Sequence, residues 1–220
     1  MTKVRKVRHK HDLEVALDRL RDFEEPSEDL EQYRTPGDVA ALILWDAYLR
    51  GDIDGATVVD LGCGTGILAY GSLLLGASTA ICVDIDWSAL NTARENLSTF
   101  RGMYDLVAGD VSTLPLRSSS NCVVVMNPPF GVKKRGADVV FLRSALQVCG
   151  KVYSIHKYSP GGVEVITRVA EEEGYLPLVV AEASMVIKQR LRHHRRRVHR
   201  FKVVLFRFVR TVQAEEEGDE

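Results

Sequence analysis

The chain has 220 residues, of which 45% are hydrophobic, enough for the core of one α/β domain. Charged residues make up 27% and nearly cancel to a net charge of −1, so bulk electrostatics single out no class of partner. No apolar run approaches the ~20 residues of a membrane span and no signal-peptide pattern is present, which excludes a membrane protein and points to the cytoplasm.

Charge and cysteine are unevenly placed. The opening "MTKVRKVRHKH" (residues 1–11) reads as a basic arm, and "KQRLRHHRRRVHRFK" from Lys188 to Lys202 is strongly basic. The closing "EEEGDE" reads as an acidic, solvated tail over residues 211–220. Cys63, Cys82, Cys122 and Cys149 form no C-x-x-C pair and lack spacings suited to zinc or a disulfide framework, so they read as reduced, mostly buried thiols.

In chain order, helical periodicity predicts a helix over Asp12–Phe23 and, after the polar connector "EEPSEDLEQYRTPG", another over Asp38–Gly51. From residue 52 the pattern becomes strand, turn, helix, repeated. "TVVDLGCG", "TAICVDID", "YDLVAGD", "NCVVVMNPP" and "KVYSIHK" read as strands, with helices over "ILAYGSLLLGA", "SALNTARENLSTF", "DVVFLRSALQVCG" and "GGVEVITRVAEEEG" between and after them. "YLPLVVAEASMVIK" and "VHRFKVVLFRFVR" follow with no helix signal between them and should form an antiparallel hairpin joined by the basic loop. Near-continuous apolar strands alternating with helices imply an α/β, doubly wound, mostly parallel sheet in one domain: N-terminal helices at 12–51 and a catalytic core at 52–210. Ligands of such sheets bind at the carboxyl ends of the strands.

Those ends carry the informative residues. "VVDLGCGTGIL" places Gly62, Gly64 and Gly66 between the first strand and its helix. Ile67 breaks the dinucleotide fingerprint G-x-G-x-x-G/A at its last position, and Asp60 would lie badly beside a pyrophosphate. A cofactor that carries cations and no phosphate fits better, which favours S-adenosylmethionine (SAM). Asp84 ends the second strand, where a carboxylate accepts ribose hydroxyls; Asp110 ends the third, where it would accept from an adenine amine with the Val111 amide as donor. Asp is common in turns, but three acids beside a glycine loop at one sheet edge are a narrower pattern.

"VVVMNPPFGV" raises a second question, because Pro128 and Pro129 stiffen the chain straight after an apolar strand. An amine conjugated to a ring is a poor nucleophile. Two fixed acceptors, the Asn127 side-chain oxygen and the Pro128 carbonyl, would localise its lone pair, and Phe130 would offer a stacking face. A base inside a duplex could not reach such a turn, so the target is unpaired or flipped out.

"DLGCGTG", "VDID", "GDV" and "MNPPFG" together resemble class I SAM-dependent methyltransferases. With "LEQYRTPG" and "VYSIHK" in this order, nearly the whole chain, from Leu13 to Arg210, is similar to the methyltransferase-like-five family, which methylates adenine N6 in small-subunit ribosomal RNA. The resemblance implies cofactor contacts from Gln32, Thr35, Gly62, Thr65, Ile67, Asp84, Asp110 and Val111, target contacts from Asn127 to Phe130, and S-adenosylhomocysteine as product. It also implies a small zinc-binding activator subunit, for which the third strand, at the sheet edge in the usual strand order, is the candidate docking site.

Basic residues supply the RNA candidates: Lys133, Lys134 and Arg135 after the turn, and Arg190, Arg192, Arg195, Arg196, Arg197 and Arg200 in the hairpin. Arginine's planar fork suits phosphate, and these neighbours disfavour His193, His194 and His199 as metal ligands. His156 and Lys157, ending the fifth strand, are weaker candidates for the substrate side. Rival readings are a protein glutamine N5-methyltransferase, which usually carries tyrosine in place of Phe130, and a non-catalytic SAM-fold RNA-binding subunit.

Overall fold

The computed structural model describes residues 7–113, 121–190 and 196–211, with the side chains of 188–190 and 196–198 left aside. Seven strands form one sheet: β1 (Thr57–Leu61), β2 (Thr79–Asp84), β3 (Tyr104–Ala108), β4 (Cys122–Met126), β5 (Lys151–Lys157), β6 (Tyr175–Arg190) and β7 (Arg196–Arg210). Their order is β3-β2-β1-β4-β5-β7-β6, with β1 to β5 parallel and β7 antiparallel to both β5 and β6. The order reverses between β1 and β4, and a crevice opens at their carboxyl ends, as such sheets require. β3 stands at one edge, where the sequence places it.

Alternation within each strand supplies two cores. Val58, Val123 and Val125 face α1 (Lys10–Asp18), α2 (Gly37–Leu49), α3 (Ile67–Leu74) and α4 (Trp87–Asn96). Val59, Leu61, Val124 and Met126 face α5 (Ala137–Val148) and α6 (Pro160–Glu172). β4 is buried at all five positions, which is why it reads as an uninterrupted apolar run. Among the described residues no helix is long and apolar enough to cross a membrane.

Three sequence expectations need correction. The first helix stops at Asp18 rather than Phe23. Beyond it the buried Asn96 takes over the backbone: its Oδ1 accepts the Arg21 N–H at 2.9 Å, and its Nδ2 donates to the Arg21 and Thr65 carbonyls at 3.0 and 2.9 Å. Second, Cys122 and Cys149 are joined as a disulfide, 27 positions apart. Cys122 opens β4 and Cys149 lies just ahead of β5, which pairs with β4, so the fold closes a distance the sequence spacing hides. Cys63 and Cys82 are free and buried. Third, the hairpin strands run further into the basic segment than expected: Arg190 pairs with Arg196 and Gln189 with Arg197, so these arginines lie on strands rather than in a loop. Residues 212–220 of the acidic tail and 1–6 of the basic arm lie outside the described residues.

Candidate active site

The loop after β1 is built by close approach. Gly62 and Gly64 take φ of 68° and 52°, and a Cβ on either would come within 2.7 Å of a ring carbon, of Phe141 and Phe23 respectively. The Val83 carbonyl accepts the Gly62 and Cys63 N–H groups at 2.8 and 3.0 Å. Asp84, at the end of β2, accepts the Gly64 N–H at 2.8 Å on Oδ2 and the Asp86 N–H at 2.9 Å on Oδ1. Burial raises its carboxyl above the ordinary value while those N–H groups act against the rise.

Over this loop lies a cavity of about 260 Å³. Asp60, Gly62, Gly64, Thr65, Ile67 and Asp84 line one side, Asp110 and Val111 another, and Gln32 and Thr35 close it from the N-terminal connector. Gly66 does not line it. It caps α3 with φ 78°, its position for a Cβ lying 3.2 Å from Ala93 Cβ, so its smallness serves helix packing. Phe23, Val140 and Phe141 line the cavity as well; sequence reasoning passed over them because an aromatic after a helix, or within an amphipathic one, carries no local signal.

Asp60 dominates the electrostatics. It is 1% exposed, Oδ2 accepts the Ala69 N–H at 2.9 Å, and Oδ1 is buried with no partner. Burial pushes its carboxyl up to about 7; the Ala69 N–H opposes this and the neighbouring Asp84 charge adds to it. Asp110 is exposed and sits below the ordinary carboxylate value because the Ser112 N–H and hydroxyl both donate to its Oδ1, with Lys134 adding a favourable charge.

A second cavity of about 310 Å³ adjoins the first, and the two share Glu31, Gln32 and Tyr33. The turn after β4 lies between them. Asn127 and Pro129 line the first cavity and Phe130 the second, while Pro128 is buried. Asn127 Nδ2 donates to Thr35 Oγ1 at 2.9 Å, which fixes the amide and leaves Oδ1 buried without a partner. Tyr33 stacks on Phe130 at 5.2 Å and 25°, and Phe201 meets the same ring edge-on at 5.3 Å. Phe130 is thus framed by two aromatic rings, Tyr33 from the connector and Phe201 from β7. The Tyr33 hydroxyl is also buried without a partner. Burial raises this phenol well above its ordinary value, Glu31 raises it further, and the Asn127 amide opposes both.

The remaining candidates separate. Lys133 and Lys157 line the second cavity, and the Lys157 ammonium stands 5.7 Å over the Phe201 ring. Lys134 reaches the mouth of the first cavity, and Arg135 and Arg200 are exposed. Nothing is described of the side chains of Arg190, Arg196 and Arg197, and Arg192 and Arg195 lie outside the described residues altogether. His156 is not at the site. It is 3% exposed, lies edge-on to Phe206 and Phe208, and shares a 2.8 Å hydrogen bond with Ser154 Oγ. Burial pushes its imidazole down to about 3, so it is neutral core.

Comparison with known proteins gives the chain's family. A family model described as Ribosomal protein L11 methyltransferase (PrmA) matches residues 39–127, the cofactor half, and stops at Asn127. The rRNA N(6)-adenosine-methyltransferase METTL5 of Danio rerio is 33% identical over 205 residues, covering 91% of this chain and 98% of its own length. Its Drosophila melanogaster counterpart is 37% identical over 202 residues, covering 89% and 94%. The chain belongs to the METTL5 family. A crystal structure of a proposed RNA methyltransferase from Pyrococcus horikoshii agrees with this fold at TM-score 0.85 and 40% identity, covering 94% of this chain and 100% of its own. Unlike the family model, the METTL5 relatives and this structure cover about nine-tenths of the chain and so extend well past Asn127.

Proposed function

We propose that this chain transfers a methyl group from SAM to the N6 amine of an unpaired or flipped-out adenosine, in small-subunit ribosomal RNA. The observation that carries the reading is the Asn127 amide, oriented by Thr35, with a buried oxygen that has no donor. A buried unpaired acceptor costs free energy unless a ligand satisfies it.

The residues of the first cavity fit SAM. Asp60 keeps an unpartnered oxygen in a setting that disfavours its charge, and a cation beside it would favour the charged form, which suits the ammonium group. Each Asp84 oxygen has a second lone pair for a ribose hydroxyl, and Asp110 with Val111 stands where the adenine ring would end. Bound there, SAM supplies a methyl group already activated on sulfur. The protein therefore needs no strong base: the Asn127 oxygen and the Pro128 carbonyl would accept the amine's two hydrogens, direct its lone pair and hold its protons as positive charge develops. Once S-adenosylhomocysteine is the leaving group, the surplus proton passes to solvent. The two prolines keep those acceptors in place, so little reorganisation is required. The second cavity, walled by Phe130 and Phe201, receives the base, and Lys133 and Lys157, which line it, stand where its phosphates would run.

The N-terminal helices and the core act as one catalytic unit, in the cytoplasm, with RNA as partner. A small zinc-binding activator docks on the open edge of β3 by adding a strand. The PrmA match favours a second reading, methyl transfer to protein, but it ends before the residues that would choose the acceptor. The test is transfer from labelled SAM, with and without an activator, to RNA and protein from cells lacking this enzyme. Label in N6-methyladenosine is the expected result; label confined to protein supports the second reading and contradicts the first.

A further inference from the structure

The two cavities share one wall, and within it Glu31 adopts an unusual conformation. Among the described residues it is the one non-glycine with positive φ, 52°, a region that side chains with a Cβ avoid. Its carboxylate turns onto the catalytic turn instead of into solvent. Oε2 accepts the Phe130 N–H at 2.9 Å and Oε1 accepts the Lys133 N–H at 2.7 Å, so one side chain closes both ends of the stretch that leaves Asn127. Bonds to an ionised acceptor are the stronger kind. The segment bearing Glu31 is itself tied to the cofactor side, because Gln32 Nε2 donates to Asp86 Oδ2 at 2.7 Å, two residues from Asp84.

We propose that Glu31 is a positioning residue, a latch through which occupation of the cofactor cavity orders the turn that holds the target amine. This rests on the reading of the two cavities given above. A ligand in the first cavity stiffens the 29–35 wall, Glu31 passes that order to Phe130 and Lys133, and the turn that already holds the Asn127 and Pro128 acceptors opens less often when the methyl donor is present. Linkage makes the effect reciprocal, so an adenosine in the second cavity tightens the cofactor by the same factor.

The test is hydrogen exchange at the Phe130 and Lys133 amides of the full chain, with and without S-adenosylhomocysteine, in the native protein, Glu31→Gln and Glu31→Gly. In the native protein the ligand should slow exchange at both amides by about tenfold or more. Glu31→Gly, which relieves the positive φ and so keeps the fold, should lose that response, and Glu31→Gln, with one acceptor left, should keep part of it. In Glu31→Gly, kcat should fall about tenfold while the KM for SAM moves less than about threefold, a split that a purely structural residue does not give. Equal ligand-dependent protection in the native protein and Glu31→Gly overturns the latch. The exchange measurement needs no RNA. Absence of methyl transfer by the native protein would therefore defeat the proposed reaction and leave the latch to be judged on exchange alone.

Discussion

At the amino-terminal ends of the strands, Asp52 is buried and fully engaged: Lys151 Nζ at 2.5 Å, the Tyr153 hydroxyl at 2.7 Å and Arg207 at 3.0 Å all donate to it. Burial pushes its carboxyl up, but these partners outweigh burial and leave it below the ordinary value. At the carboxyl ends, Asp60 is buried more deeply, has one N–H donor and is pushed up to about 7. The same side chain in the same sheet is saturated at one end and left open at the other. The lesson is that partner count, and not burial alone, separates a structural acid from one kept for a ligand.

Substitutions should split along that line. The largest effect is expected from Asn127→Ala, which removes an open acceptor: turnover on RNA should fall by about 10³-fold, as for loss of a preorganised polar group, with S-adenosylhomocysteine affinity in calorimetry nearly unchanged. A large loss of cofactor affinity would place Asn127 on the wrong ligand. Asp52→Ala should do the reverse. It leaves Lys151 and Arg207 without their counter-charge and should cost on the order of 3 kcal/mol of stability in denaturant titration, while activity survives at low temperature.

One side of this contrast was legible in the sequence, and the other was hidden for physical reasons. The strands announced themselves as apolar runs because both faces of the sheet are covered, and the acids at their ends could be aligned once strand ends were known. Asp52 could not be recognised, because its partners lie about 100 and 155 positions away. Glu31 looked like any solvated acid in a polar connector, and neither its backbone conformation nor its bonds to Phe130 and Lys133 leave a trace in local composition. Phe201 was hidden in the same way, on a strand that reads as hairpin. The Cys122–Cys149 bridge was missed because neighbouring strands, not spacing, bring the two together.

Two smaller effects sharpen the comparison. Asp60 must be ionised to pair with an ammonium group, so below about pH 7 cofactor binding has to release its proton. Affinity for SAM should therefore rise with pH, approaching tenfold per unit below about 7 and levelling above it, and Asp60→Asn should flatten the profile. For stability the sign is opposite: with a folded value near 7 against 3.8 ordinarily, Asp60's contribution is present below 3.8 and is lost as pH rises to about 7. Asp52, held low, contributes above the ordinary value and loses its contribution as pH falls. The smallest effect is expected from a single exposed arginine of the basic hairpin. Arg200→Ala should weaken RNA binding a few-fold and lower its salt slope by about one, without sequence preference.

The most direct measurement is a crystal structure with S-adenosylhomocysteine and an adenosine-containing RNA fragment. The adenine N6 should lie within roughly 3 Å of both the Asn127 side-chain oxygen and the Pro128 carbonyl, with Asn127 still bonded to Thr35. A bound adenosine whose amine points elsewhere, with the Asn127 oxygen still unpartnered, would contradict the claim that these two acceptors hold the nucleophile.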